Sequence, residues 1–253
     1  MATGYITEQN DQISRGLVRG VTHVNKFGFN STVGTAFETV WDGANTYTYI
    51  ATAGTAVVTS SNTSSDNDGT VEIQGLDANY DLQTVSAVIG GDATSETFIR
   101  VFRVRMTDAN TGSSNVGNIT VTIDSKSAAI INATEGQTLM ALYTVPRNKV
   151  ALFKNFQGSL NKQKEADFEI LTRDHIELVF NVRGRFGTFG VPFNYSYEYP
   201  LFIAEKVDIE IRVKAGATCG ASAVFDLLIL DNPRTMMFNA YVIKRINGKD
   251  TNT

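Results

Sequence analysis

Apolar and polar residues alternate with a period of two along most of this chain. The clearest case is "KVDIEIRV": Val207, Ile209, Ile211 and Val213 share one face, and Lys206, Asp208, Glu210 and Arg212 share the other. "NITVTID" (Asn118 to Asp124) and "TVEIQGL" repeat the pattern, each a strand with one wet face. "TFIRVFRVRM" sets Phe98, Phe102, Val104 and Met106 on one face, interrupted by Arg100. "FDLLILDN" (Phe225 to Asn232) is almost continuously apolar and predicts a strand buried on both sides. Turn signals separate these runs at short intervals: "DNDG", "GLDANYD", "VIGGDA", "DANTGSSNVGN" and "NATEGQ". No long window keeps a 3.6-residue period with caps at both ends, although "KSAAIINA" and "NKQKEADFEIL" could each hold a helical turn. Many short strands joined by Gly, Asn and Asp turns predict an antiparallel sandwich or barrel.

Composition shifts near "EGQTLMALYTVPRNK". Thr, Ser and Gly dominate before it; aromatic and charged residues thicken after it. The expected architecture is all-β, with two antiparallel β-sandwich or jelly-roll-like units at residues 21–137 and 138–246. An extended N-terminal arm (1–20) and a polar C-terminal tail (247–253) complete it. Neither end carries a core-forming pattern, so both are expected to order only against neighbouring subunits.

The chain has 253 residues and a formal net charge of −4. That balance argues against a nucleic-acid binder, which needs a dense basic surface. No apolar run approaches a membrane span, and the start, "MATGYITEQNDQISRG", reads as having no secretory leader. Cys219 is the single cysteine, so no intrachain disulfide can form; in "AGATCGASAVF" it reads as a small buried apolar residue.

Candidate chemistry is sparse. The Asp-x-Asp-Gly of "DNDG" looks like half a calcium loop. Aligned on Gly69, however, the template needs a bidentate carboxylate where Gly75 stands. Asp66, Asn67, Asp68 and Gly69 therefore read as a turn launching the next strand. His175 lies between Asp174 and Glu177, but no Ser elbow or His-x-x-x-His spacing accompanies it or His23. Glu165, Asp167 and Glu169, like Asp208 and Glu210, share strand faces. Such neighbours point the same way and read as solvated sheet, not as a catalytic pair across a cleft. Arg100, Arg103 and Arg105 are expected to pair with carboxylates of a neighbouring strand or subunit. The densest feature is "RGRFGTFGVPFNYSYEYPLF", which gathers Arg183, Arg185, Phe186, Phe189, Phe193, Tyr195, Tyr197 and Tyr199. It fits a protein interface, a sugar-stacking platform, or core packing with hydroxyls at the edge.

Five runs carry a family resemblance: "GVTHVNKFGFNSTVGTAFETVWDG", "TYTYIATAGTAVVTSS", "GTVEIQGLDANYD", "ETFIRVFRVRM" and "GQTLMALYTVPRNKVALFKNF". They resemble virion structural proteins of tailed phages of marine bacteria, cyanophages among them, over roughly residues 20–232. The shared phrases hold no catalytic motif, so no active-site residue carries over. The resemblance implies a β-rich particle component, capsid-associated or tail-associated.

The expectation is thus a non-enzymatic virion structural protein without a cofactor: a capsid decoration or cement protein, or a neck or tail accessory. Its partners would be other virion proteins and copies of itself, assembled in the host bacterial cytoplasm, where a chain without disulfides is at home. A glycan-binding adhesion module displayed on the particle is the rival expectation.

Overall fold

The computed structural model describes residues 8–232. The expected C-terminal tail and the first residues of the expected arm lie outside that range. After α1 (Gln9–Ser14) come β1 (Val21–Val33) and β2 (Glu38–Thr39). A run of short elements follows: β3 (Gly54–Thr55), β4 (Val57–Ser60), α2 (Thr63–Asp66), β5 (Thr70–Leu76) and β6 (Leu82–Val88). It continues through β7 (Thr97–Phe98), β8 (Arg100–Asp108), β9 (Ile119–Ile123) and β10 (Lys126–Ile131). The remainder is β11 (Leu142–Thr144), β12 (Lys149–Leu160), β13 (Glu165–Arg173), β14 (Phe180–Phe189), β15 (Phe193–Ile203), β16 (Asp208–Ala215) and β17 (Cys219–Asp231).

The fold is all-β and antiparallel. One sheet runs β1-β17-β12-β15; the other runs β11-β16-β13-β14, with β2 also on β16. β2 and β11 are two pieces of one strand. Val40 donates to Ile211 O (3.0 Å), Ala141 to Val40 O (2.9 Å), and Ile211 to Ala141 O (3.2 Å). Counting them as one, the first sheet holds the first, eighth, third and sixth strands and the second holds the second, seventh, fourth and fifth. That is the order of an eight-stranded jelly roll. Gly28 of β1 is required at the join: a Cβ there would lie 2.3 Å from both Ala141 N and Val40 O.

Between the two halves of the split strand, residues 41–140 make an excursion. It forms a lobe of two three-stranded sheets, β6-β5-β8 and β10-β9-β4, with the β3-β7 pair. The compositional shift near residue 137 therefore falls where the chain returns from the lobe. β1 and β2 precede it in sequence but pair with β17 and β16, because a jelly roll sets its first strand beside its last. One cluster of buried residues runs from sandwich to lobe.

Inside the sandwich, Phe153, Phe156 and Phe225 of one sheet and Phe168 of the other are fully buried. Phe156 and Phe168 touch edge-to-face at 6.0 Å and Phe153 stacks on Phe225 at 5.2 Å. Three local expectations need correction. "KSAAII" is strand β10 and "EADFEILTR" is strand β13, so neither is helical. "FDLLIL" is buried on one face and half-buried on the other, because β17 is central in its own sheet but the sheet's outer side is open. The described part of the arm is not featureless: α1 buries Ile13, its one large apolar side chain apart from the flanking loop.

Turn chemistry follows the sequence closely. In "GLDANYD" the Asp77 carboxylate accepts the amides of Asn79 and Asp81, both at 2.8 Å, and Tyr80 adopts φ 65°. Asp42 ties the two ends of the excursion together, accepting Leu139 N (2.5 Å) and Asn132 Nδ2 (3.0 Å). Burial pushes its pKa from 3.8 up to about 7; the Leu139 amide opposes the rise and Glu135 adds to it. Across that interval the folded chain holds a proton that the unfolded chain has lost. Stability should therefore fall as pH rises from about 4 to about 7. Thermal melts of Asp42→Asn are expected to show that slope reduced relative to wild type; an unchanged slope would mean Asp42 is ionised throughout.

Candidate assembly surface

The sequence-selected aromatic residues sit on β14 and β15, the last strands of their respective sheets. The turn between them is set by Gly190, at φ 62°. Burial divides the residues. Phe186, Phe193 and Tyr197 are half-buried and pack on the core, whereas Phe189, Tyr195 and Tyr199 are exposed, Tyr199 by 82%. Phe186 stacks on Phe193 at 5.7 Å and meets Tyr195 at 5.0 Å, and Tyr195 meets Tyr197 edge-on at 4.8 Å. The rings thus close the sandwich where the two edge strands come together. Core packing and surface display are both realised, by neighbouring rings of one segment.

The two arginines separate as well. Arg183 is exposed. Arg185 is held by Glu169, its Nε 2.8 Å from Oε1, and lies over the Phe37 ring at 5.4 Å. Its guanidinium is occupied within the subunit.

No described strand pairs with the outer edge of β14 or of β15. β15 leaves its register with β12 between Ser196 and Leu201, where Tyr197 to Pro200 stand against Lys154 alone as a bulge and Pro200 has no amide to donate. Beside these strands stand apolar residues that the sequence analysis did not select. Ile176 (77% exposed), Leu178, Val179 and Val182 lie where the chain enters β14, Val191 lies in the turn, and Phe202 lies near the end of β15. The run "IELVFNV" was the available signal: Ile176, Leu178, Phe180 and Val182 keep a period of two, and Val179 adds an apolar residue to the other face. Long apolar edges of this kind pair with other chains unless something covers them.

The carboxylates require a larger correction. Asp208 and Glu210 do not face solvent; both are fully buried. The lobe lies over that side of the second sheet and brings Arg100, from the interrupted face of β8, onto Asp208. Arg100 Nε and Nη2 meet the two carboxylate oxygens at 2.7 and 3.0 Å. Arg173 donates to Oδ2 through Nε (3.0 Å) and Nη2 (2.8 Å), and the Thr144 hydroxyl to Oδ1 (2.6 Å). Glu210 accepts the Thr39 hydroxyl (2.5 Å) and Arg212 Nε (2.7 Å). The Tyr49 ring lies under Arg173, 3.9 Å from its guanidinium carbon, and burial drives the phenol's pKa well up. Glu169 is also buried, against Arg185, while Asp167 pairs with Lys214 at 3.1 Å. Arg105 pairs with Glu72 of adjacent β5 at 2.8 Å, and Arg103 donates to Gln137 at 3.2 Å.

The remaining candidates have structural partners. Asp66 accepts Ser60 Oγ (2.6 Å), Val116 N (2.7 Å) and Gly117 N (2.8 Å). Burial opposes its ionisation, but those three donors outweigh it and hold the carboxyl below its usual range. The "DNDG" aspartate is thus a brace between two loops. His175 stands 3.7 Å from Asp174, beyond hydrogen-bond reach, with its ring against Tyr80. His23 contacts Asp226 at 2.9 Å, and Cys219 is buried. Among the described residues, no group of three or more His, Cys, Asp or Glu is gathered to hold a metal, and no helix is long and apolar enough to cross a membrane.

No family model matches the chain, and no curated protein matches it. Among solved structures, it aligns with the Gt strain of infectious bursal disease virus at 12% identity and a TM-score of 0.26, covering 84% of this chain and 73% of that one. It also aligns with the VP2 subviral particle of infectious bursal disease virus at 11% identity and a TM-score of 0.23, covering 83% and 72%. These scores carry no argument about function.

Removing Asp208 should strand two cations. Asp208→Ala is expected to cost about 3–5 kcal/mol, since Arg100 and Arg173 would stay buried without their carboxylate. Arg147→Ala, which breaks the half-exposed pair with Asp81, is expected to cost no more than about 1 kcal/mol. Urea unfolding of both variants checks the contrast; equal costs would show that the buried network is wetter than its geometry implies.

Proposed function

We propose that this protein is a non-enzymatic structural subunit of a virus particle that acts by packing against other subunits through the β14–β15 edge. The observation that carries the proposal is the pair of long edge strands, unpaired among the described residues and flanked by exposed Phe189, Val191, Tyr199 and Ile176. Strand edges supply directional hydrogen bonds and the flanking side chains supply apolar area, the two ingredients of strand addition. A standard interface needs about 800 Å² per partner, within reach of an edge of this length.

A jelly roll alone does not choose between shells, lectins and small-molecule barrels. Here the sandwich interior is filled by phenylalanine, which leaves no room for a substrate inside it. Asp208 and Glu210, the carboxylates best placed by burial for acid–base work, are saturated by arginine and threonine donors. Both features favour assembly over catalysis. The sequence resemblance to virion proteins of tailed marine phages supports a phage particle, assembled in the bacterial host. Within it, we favour a capsid-borne position, as decoration or cement, over a neck or tail accessory, because two open edges on one sandwich suit lateral contacts.

The glycan-binding alternative draws on the exposure of Phe189 and Tyr195 beside polar Asn194 and Ser196. It expects specific hits on a glycan array, which the assembly reading does not. The direct test is sedimentation of the purified chain over a range of concentrations. Wild type is expected to self-associate, and Ile176→Ser/Phe189→Ser/Tyr199→Ser to remain monomeric, with its unfolding free energy changed by no more than about 1.5 kcal/mol. A triple variant that assembles like wild type would remove the edge from the mechanism.

A further inference from the structure

Where the jelly roll meets the lobe, a buried cation has no counter-ion among the described residues. Lys26 of β1 pairs in register with Phe225 and so points to the inner side of its sheet, with only 8% of its surface exposed. Its ammonium donates to the carbonyl of Phe102 in β8 and lies 5.8 Å from that ring's centroid. Among the described residues, no carboxylate forms an ion pair with it. The contrast with Asp208, Glu210 and Glu169 is direct, since each of those buried ions has an arginine. Burial, with Arg103 nearby, lowers the amine's pKa from 10.5 to about 7. A group in this position gains much from an arriving anion.

Lys26 lines a cavity of about 320 Å³ between sandwich and lobe, a size and location typical of small-molecule sites. Buried Phe102 and Tyr143 form the floor, half-buried Gln74 a wall, and exposed Leu82 and Arg103 the rim. Among the described residues, the lining contains the cations Lys26 and Arg103 and no carboxylate. The other charged and titratable groups of the lining are Arg103 of β8, Tyr143 of β11 and His23 of β1, which lies on the opposite face of its strand from Lys26. His23 is held by Asp226 of β17 at 2.9 Å, and Glu72 of β5 is held by Arg105 at 2.8 Å. The aromatic floor favours an apolar body over a bare inorganic anion, and the volume limits that body to roughly one ring.

We propose that this cavity binds a small organic carboxylate with an apolar body, its head on Lys26 and Arg103 and its body against Phe102, Tyr143 and Leu82. Binding is coupled to proton uptake, because the anion draws the neutral fraction of the amine into its charged form.

Calorimetric titration of the full chain with phenylacetate, and with the uncharged isostere phenylacetamide, tests this. One phenylacetate per chain is expected to bind, at least tenfold more tightly than the amide. Affinity should weaken at least tenfold from about pH 6 to about pH 9, as the amine's pKa directs. Lys26→Met, which keeps the stem's length and volume, should lose both the binding and its buffer-dependent proton uptake, and Arg103→Gln should weaken binding severalfold. The amide comparison and Arg103→Gln are read on folded protein even if Lys26→Met does not fold. Equal affinity for acid and amide, undiminished binding by Lys26→Met, or no saturable heat at millimolar phenylacetate would overturn the proposal. So would self-association that vanishes in Lys26→Met without any phenylacetate binding, which would assign the ammonium to a carboxylate of a second copy.

Discussion

A carboxylate sealed from water has to be answered by cations, and the answer to Asp208 comes partly from a residue 108 positions away in sequence. Arg100 is carried on the lobe; Asp208 and Arg173 belong to the sheet beneath it. The pair forms only when the lobe docks in one orientation, because a shifted docking would leave buried charge on both sides. Such a contact adds less to net stability than it subtracts from every alternative arrangement. Tyr49 and Phe180 extend the effect, since their rings sit against the same guanidinium groups. The lobe is therefore fixed to the sandwich by matched charge as well as by the shared apolar core.

That rigidity bears on how the molecule meets others. A subunit that packs laterally must present its edges at a constant angle, and here the lobe covers one outer face of the sandwich while β14 and β15 stay open at its side. The aromatic seam between those strands does two jobs within one segment. Phe186 and Phe193 close the interior, and Tyr195 and Tyr199 remain outside it. The cavity around Lys26 lies at the opposite kind of boundary, between lobe and sheet, so occupancy there and contact at the edge involve different surfaces.

The all-β class was legible because most strands bury one face and the period of two survives in "KVDIEIRV", "TVEIQGL" and "NITVTID". Turns were legible where a side chain caps its own backbone, as Asp77 does. The jelly-roll order was not, since the pairing of β1 with β17 joins opposite ends of the chain and leaves no local trace. The polar face of β16 was misjudged for a related reason: alternation shows that two faces differ, not what covers either one. The interruption of an apolar face by Arg100 was the visible clue, and its partner could not be named without the fold. For the aromatic segment, the strip was visible in sequence, but its division into packed and displayed rings, and the capture of Arg185 by Glu169, depend on which sheet each strand joins.

The meeting of Val40 and Ala141 has a consequence for how such a molecule can change. The chain departs from the sandwich and comes back at adjacent points of a single strand, so the scaffold is indifferent to how much polypeptide is spliced in between. Lobes of other sizes could be exchanged at this seam while the eight-stranded frame kept its order. Any replacement would inherit one obligation, to arrive with a positive charge for Asp208 or to leave that carboxylate open to water.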